Sequence, residues 1–206
     1  FNKHLAEKLV SIGFARSLGD ENAFWRRNPD GSVCFVLAHV DDVLMFATNG
    51  DALVGEVETL FDLSGTGEMG IYLGMDLARL ASGDISISSE NYIVRTIPEL
   101  EEEFGNFREY DCPTSGDGDP PELDDSELLD GAGKLSYQKL VGIQTYLSTA
   151  TRPDISYAVC SLARFSHAPR RGHMERARRV MGYFKRHPSL AIPASGESPN
   201  IDVLAT

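Results

Sequence analysis

The sequence predicts an α+β chain: an antiparallel sheet with helices over residues 1–109, an acidic flexible linker over 110–133, a helical unit over 134–190 and a tail over 191–206. Three observations carry that reading. The first half interleaves β-branched and aromatic runs with Gly, Pro, Asn and Asp turn signals. The stretch after residue 133 repeats helical apolar spacing. Between them lies a segment rich in Pro, Gly, Ser and Asp with little to bury, the composition of a mobile chain.

The elements run in this order. "FNKHLAEKLVSIGF" sets Phe1, Leu5, Leu9 and Ile12 at helical spacing and runs into Gly13, a C-terminal breaker. "ENAFWRR" and "VCFVLAHV" are strand-like and are joined by "NPDGS", where Pro presets one dihedral and Gly permits the left-handed one. "FVLAH" and "VLMFA" are arms of a tight hairpin with "VDD" near its tip, and "GDALVGEVETLFDL" reads as a helix. "MGIYLGMDLARL" and "DISIS" flank "ASG" as a second hairpin; "SENYIVRTIPELEEEFG" offers a Ser cap and helical spacing interrupted by Pro98. Beyond the linker, "SYQKLVGIQTYLSTA", "PDISYAVCSLARFS" and "GHMERARRVMGYFKRH" are helical, the last with Ala177, Val180, Met181 and Phe184 as one apolar stripe.

At 206 residues, 42% hydrophobic and 24% charged, the chain suits one sizeable globular domain or two small ones. Cys34, Cys112 and Cys160 are odd in number and far apart, which indicates neither a disulfide framework nor a zinc site and fits a reducing compartment; Cys34 and Cys160 read as small core residues. His167 and His173 flank Pro169 with no partner cysteine and suit surface or capping roles. The chain shows no targeting leader and no apolar run of membrane-spanning length, and it reads as a piece of something longer.

Charge is unevenly placed. The net −12 resides entirely in residues 99–130, where 13 acidic residues face the single basic Arg108; the remainder is neutral. Residues 163–187 carry eight Arg or Lys against Glu175, a local basic patch. Within it Arg178 with Lys185, and Arg179 with Arg186, recur at seven residues and form rows beside the apolar stripe. Such rows, with Arg176, suit the phosphates of a nucleic acid, or simply the solvated outside of an amphipathic helix.

Asp41 and Asp42 are the other feature. An Asp pair at a hairpin tip ligates a divalent cation such as Mg²⁺ or serves as a solvated turn; the long apolar flanks argue for the exposed end of a core element. "HVDDVLMFA" resembles the "YVDD" box of reverse transcriptases, and the remaining stretches resemble Ty1/copia-type LTR retrotransposon polyproteins in the same order: "IYLGMDLARL", "GDISISSENYI", "CPTS", "YQKLVGIQTYLSTATRPDISYAVCSLARFSHAP" and "HMERARRVMGYFKRHPSLAI". "TRPDISYAV" is the most specific string.

The resemblance implies a partial reverse transcriptase palm up to about residue 95, then thumb and connection helices. It implies that Asp41 and Asp42 are catalytic ligands of Mg²⁺, with Mn²⁺ as a substitute, and that Tyr72, Leu73, Gly74 and Met75 match the primer grip. It further implies an RNA/DNA template-primer and deoxynucleotides as partners of the complete enzyme, Arg176, Arg178, Arg179, Lys185 and Arg186 as nucleic-acid contacts, and the remainder of a Pol polyprotein. The family's setting is a cytoplasmic virus-like particle. Two departures stand out: His39 replaces the Tyr of the box, and no basic residue lies between Phe61 and Tyr72. The family's fingers and first palm Asp lie upstream of the first helix, and "PNIDVLAT" resembles the approach to a ribonuclease H domain. The expectation is therefore a fragment inactive alone, or else a degenerate or domesticated remnant that only binds nucleic acid or a protein partner.

Overall fold

A computed structural model describes residues 2–63, 70–115 and 120–194. It divides into two compact units, Phe1–Leu73 and Gly74–Thr206. The sequence sets its boundary in the acidic stretch; the packing sets it here. Among the described residues the chain is α+β, with six α-helices and two antiparallel sheets.

In the first unit, helix α1 (Asn2–Ser11) buries Leu5 and Leu9 and stops at Gly13, whose φ of 91° only glycine adopts freely. Strands β1 (Ala15–Arg16), β2 (Ala23–Arg27), β3 (Val33–His39) and β4 (Asp42–Phe46) pair antiparallel in sequence order. The "NPDGS" turn closes by Asn28 N–H donating to the Ser32 carbonyl at 2.8 Å, with Gly31 at φ 87°. Strand alternation sends Cys34, Val36 and Ala38 to one face, where Phe24, Leu5, Leu9 and, from α2 (Gly50–Glu58), Leu53 and Val57 complete a core. Arg26 of β2 clamps Glu56 of α2 through two 2.7 Å bonds and donates to the Ile12 carbonyl at 2.8 Å. Strand β5 (Ile71–Tyr72) ends the unit.

The second unit opens with β6 (Met75–Arg79) and β7 (Ile85–Ser88), and β8 (Ile192–Ala194) adds to β7 with Ile87 opposite Ile192. That third strand falls in the tail; "PNIDVLAT" lies outside the described residues. Helix α3 (Glu90–Phe104) runs unbroken through Pro98, so the expected interruption is absent: the burial of Ile93, Ile97 and Leu100 on one face outweighs one lost backbone bond. The Ser89 hydroxyl does not cap α3. It is buried and accepts from Thr151 Oγ1 at 2.8 Å, while Asp76 of β6 takes the Asn91 N–H at 2.9 Å and supplies the helix start with its acceptor.

Helices α4 (Gly131–Ala150), α5 (Ser156–Ala163) and α6 (Arg171–Arg186) share one core with α3, and Ala177, Val180, Met181 and Phe184 are all buried in it. Cys34 is buried as expected, but Cys160 is exposed: the turn of α5 gives the core Ala158, Val159 and Leu162 and sends the thiol outward. Asp130 caps α4 by accepting from Gly133 N–H at 2.7 Å. His173 has the capping role: its Nδ1 accepts from the Arg170 N–H at 3.1 Å and its Nε2 meets the Pro121 carbonyl at 2.8 Å. The acidic linker over 110–133, expected to be mobile, is tied down where described: Leu128 bridges Arg170, and Asp124 pairs with Arg176 at 2.5 Å.

The most specific string of the sequence is a structural device. Arg152 is 1% exposed; it grips Asp154 through Nε and Nη2 at 3.0 and 2.9 Å and donates Nη1 to the His187 carbonyl at 2.8 Å, just past the end of α6. Its guanidinium lies 5.0 Å from the Phe184 ring, and Tyr183 Oη donates to Asp154 at 2.8 Å. Removing one partner leaves a buried charge uncompensated. Asp154→Ala is therefore expected to cost about 3–5 kcal/mol in urea unfolding, and the double change Arg152→Met/Asp154→Leu clearly less; equal losses would refute the role assigned to the pair.

Candidate functional site

The β3–β4 hairpin brings the two sequence-predicted carboxylates to its tip. Register sets His39 opposite Asp42, leaving Val40 and Asp41 as a two-residue loop. Val40 is 73% exposed with φ at 54°, a backbone state that a β-branched residue holds only against strain. This turn presents Asp41 and Asp42 side by side and exposed, at the end of strands whose Val36 and Ala38 are core.

Tyr72 belongs to the same neighbourhood. Burial raises its phenol above the ordinary tyrosine range, and the negative charges of Asp42 and then Asp20 add to the rise. Asp20 itself is occupied as an acceptor for the Asn22 N–H at 2.8 Å. Among the described residues no group of three or more His, Cys, Asp or Glu side chains could hold a metal ion. Asp41 and Asp42 alone do not fit a pair of Mg²⁺ ions, which need more oxygen ligands than two adjacent carboxylates supply.

The "YLGM" residues are contiguous but divided between the units: Tyr72 and Leu73 end the first, Gly74 and Met75 begin the second. Leu73 and Gly74 both take positive φ, 52° and 78°, the pattern of a two-residue turn that matches strand twist. Tyr146 of α4 lies over Gly74, where a Cβ would come within 2.7 Å of its hydroxyl, and Tyr92 of α3 packs tilted against Tyr146 at 5.2 Å. Both tyrosines fall in stretches that resemble the family, "GDISISSENYI" and "YQKLVGIQTYLSTA", but only the fold brings them to this turn. The segment between Phe61 and Tyr72 falls mostly outside the described residues.

The five basic residues singled out on α6 all face residues 101–124. Arg176 pairs with Asp124, and Arg178 donates to the carbonyls of Phe104 at 2.6 Å and Asn106 at 3.1 Å. Lys185 binds Glu101 at 2.6 Å and Asn106 Oδ1 at 2.8 Å. Arg179 lies 4.1 Å over Tyr110 and donates to the Cys112 carbonyl at 3.1 Å, and Arg186 reaches Asp111 at 3.3 Å and Glu109 at 3.6 Å. At Gly182 a Cβ would collide with the Arg108 carbonyl, so the chain crosses α6 in direct backbone contact. The opposed charge of the two segments was visible in the sequence; that they would meet was not, because the pairing spans many residues.

Among curated proteins, the chain is 31% identical over 186 residues to a transposon Ty5-1 protein of Saccharomyces cerevisiae, covering 89% of this chain and 58% of the relative. It is 27% identical over 191 residues to the retrovirus-related Pol polyprotein from transposon RE1 of Arabidopsis thaliana, and 24% identical over 184 residues to that from transposon TNT 1-94 of Nicotiana tabacum. These matches cover 91% and 86% of this chain but 12% and 14% of the polyproteins. The chain thus spans part of the length of each relative. No family model and no solved structure matches it.

Residues 101–112, the strap across α6, carry a pH signature. The hydrogen bond from Lys185 holds the Glu101 carboxyl below the usual glutamate range, against the upward push of burial. A carboxyl depressed in the folded state contributes stability that is full above its unfolded value, near 4, and lost as pH falls through the lower folded value. Thermal melts should therefore lose stability on acidification below about pH 4 more steeply in the wild type than in Lys185→Met; parallel pH profiles would contradict this.

Proposed function

The chain is homologous over about nine-tenths of its length to Ty5- and Ty1/copia-type retrotransposon Pol proteins, and from that premise we propose that it is the palm-to-connection portion of a reverse transcriptase. The observation that carries the reading is the "HVDD" hairpin: a strained two-residue turn at the end of a core sheet, with both carboxylates held out to solvent. That is how a polymerase palm offers oxygen ligands to Mg²⁺. Asp41 and Asp42 would hold part of such a site, where Mg²⁺ would supply activation of a primer hydroxyl and charge stabilisation at the departing pyrophosphate, with no protein nucleophile needed.

On this reading Asp41 and Asp42 supply part of the ligand set, and a further carboxylate comes from another segment of the polyprotein. Tyr72, Leu73, Gly74 and Met75 form the turn that seats the primer end, backed at Gly74 by Tyr146. The Arg179–Arg186 row of α6 lies along the template-primer, with deoxynucleotides as the second substrate of the whole enzyme. His39, paired with Asp42 in register, stands where the family has a phenol and offers a ring and a hydrogen bond in its place.

Primer extension on an RNA template with Mg²⁺ or Mn²⁺ tests the proposal. The isolated chain is expected to incorporate no deoxynucleotide, and a longer Pol product containing it to incorporate nucleotides in a manner abolished by Asp41→Asn. Robust extension by the chain alone would overturn the claim that its metal site is partial; activity of the longer product surviving Asp41→Asn would overturn the site itself.

A further inference from the structure

The contacts of α6 with residues 101–112 fall into two layers. The inner layer is built in: Phe107 is buried, the Arg108 carbonyl sits on Gly182, and Arg178 and Lys185 donate to Phe104, Asn106 and Glu101. Their donors are consumed by the fold. The outer layer is lighter. Arg179 stacks on Tyr110 and donates Nε to the Cys112 carbonyl at 3.1 Å, and Arg186 meets Asp111 and Glu109 at 3.3 and 3.6 Å, with Arg186 55% and Asp111 83% exposed. Nε2 of His187 also faces Asp111 at 3.5 Å. Exposed ion pairs at such distances contribute little and are screened by salt.

We propose that residues 109–112 are an intramolecular stand-in for a phosphate backbone: they occupy the Arg179–Arg186 row and must be displaced before that row binds nucleic acid. This rests on the reading of α6 as a template-primer surface and adds its regulation. The arm offers what a phosphodiester strand offers, anionic oxygens at Glu109 and Asp111 for Arg186 and a ring at Tyr110 for Arg179. A duplex that takes its place gains from releasing counterions, which the arm does not provide. The α6 rows are thereby unequal: Arg178 and Lys185 hold the strap, and Arg179 and Arg186 exchange it for ligand.

Binding of a labelled RNA–DNA duplex to the full chain across a salt series distinguishes the possibilities. Glu109→Gln/Asp111→Asn is expected to raise affinity about three- to tenfold at low salt. Glu99→Gln/Glu102→Gln, the same charge change at exposed positions of α3, is expected to raise it far less, and Arg179→Glu/Arg186→Glu to abolish it. On binding, the Phe107 amide, bonded to Glu101 at 2.8 Å, should stay protected from exchange. Equal gains from the two carboxylate variants, or no gain, overturn the masking while leaving the surface intact. Unchanged affinity after charge reversal at Arg179 and Arg186, or no binding by any variant, overturns the α6 reading and the masking with it.

Discussion

The second unit is organised around one buried cation. A guanidinium that is almost fully enclosed costs free energy unless its donors are met, and Arg152 meets that demand by drawing together three places: the end of α4 where it sits, the Pro153–Ile155 turn through Asp154, and the end of α6 through the His187 carbonyl. Because α6 is thus fixed at its C-terminus, and at its N-terminus by His173 and Asp124, its faces are set. One face closes the core with Ala177, Val180, Met181 and Phe184, and the basic rows beside it receive the acidic strap. The need for glycine at position 182 then comes from how near the strap passes.

The first unit solves a different problem. A sheet with one apolar face must end somewhere, and at the β3–β4 end the chain reverses in two residues, with Val40 held in a left-handed state. Asp41 and Asp42 are chain neighbours at this turn, and the Tyr72 phenol feels the charge of Asp42.

What was legible in the sequence was what local pattern dictates. The spacing of Leu5 and Leu9, the "NPDGS" turn, the "VDD" hairpin and the stripe on α6 each arise from residues near one another, and each stands in the structure. What was hidden depends on distant partners. Strand β8 has three residues and forms only because β7 offers an edge; Asp76 caps α3 from another strand; Ser89, which looks like the cap, is turned inward to Thr151. Pro98 misled because a local rule was outweighed by burial on both sides of it. The 110–133 segment misled for a related reason: its composition is poor in apolar residues, yet the counter-charge that holds it, Arg176 and Arg186, lies on α6.

Everything proposed for the first unit rests on Asp41 and Asp42 forming a partial site for a divalent cation at the hairpin tip. Paramagnetic broadening of backbone amides by Mn²⁺ tests it most directly on the chain itself. Broadening is expected to centre on Val40 to Val43, to grow without saturating and to disappear in Asp41→Asn/Asp42→Asn. Broadening centred elsewhere, or a tight saturable site that survives that double change, would contradict it.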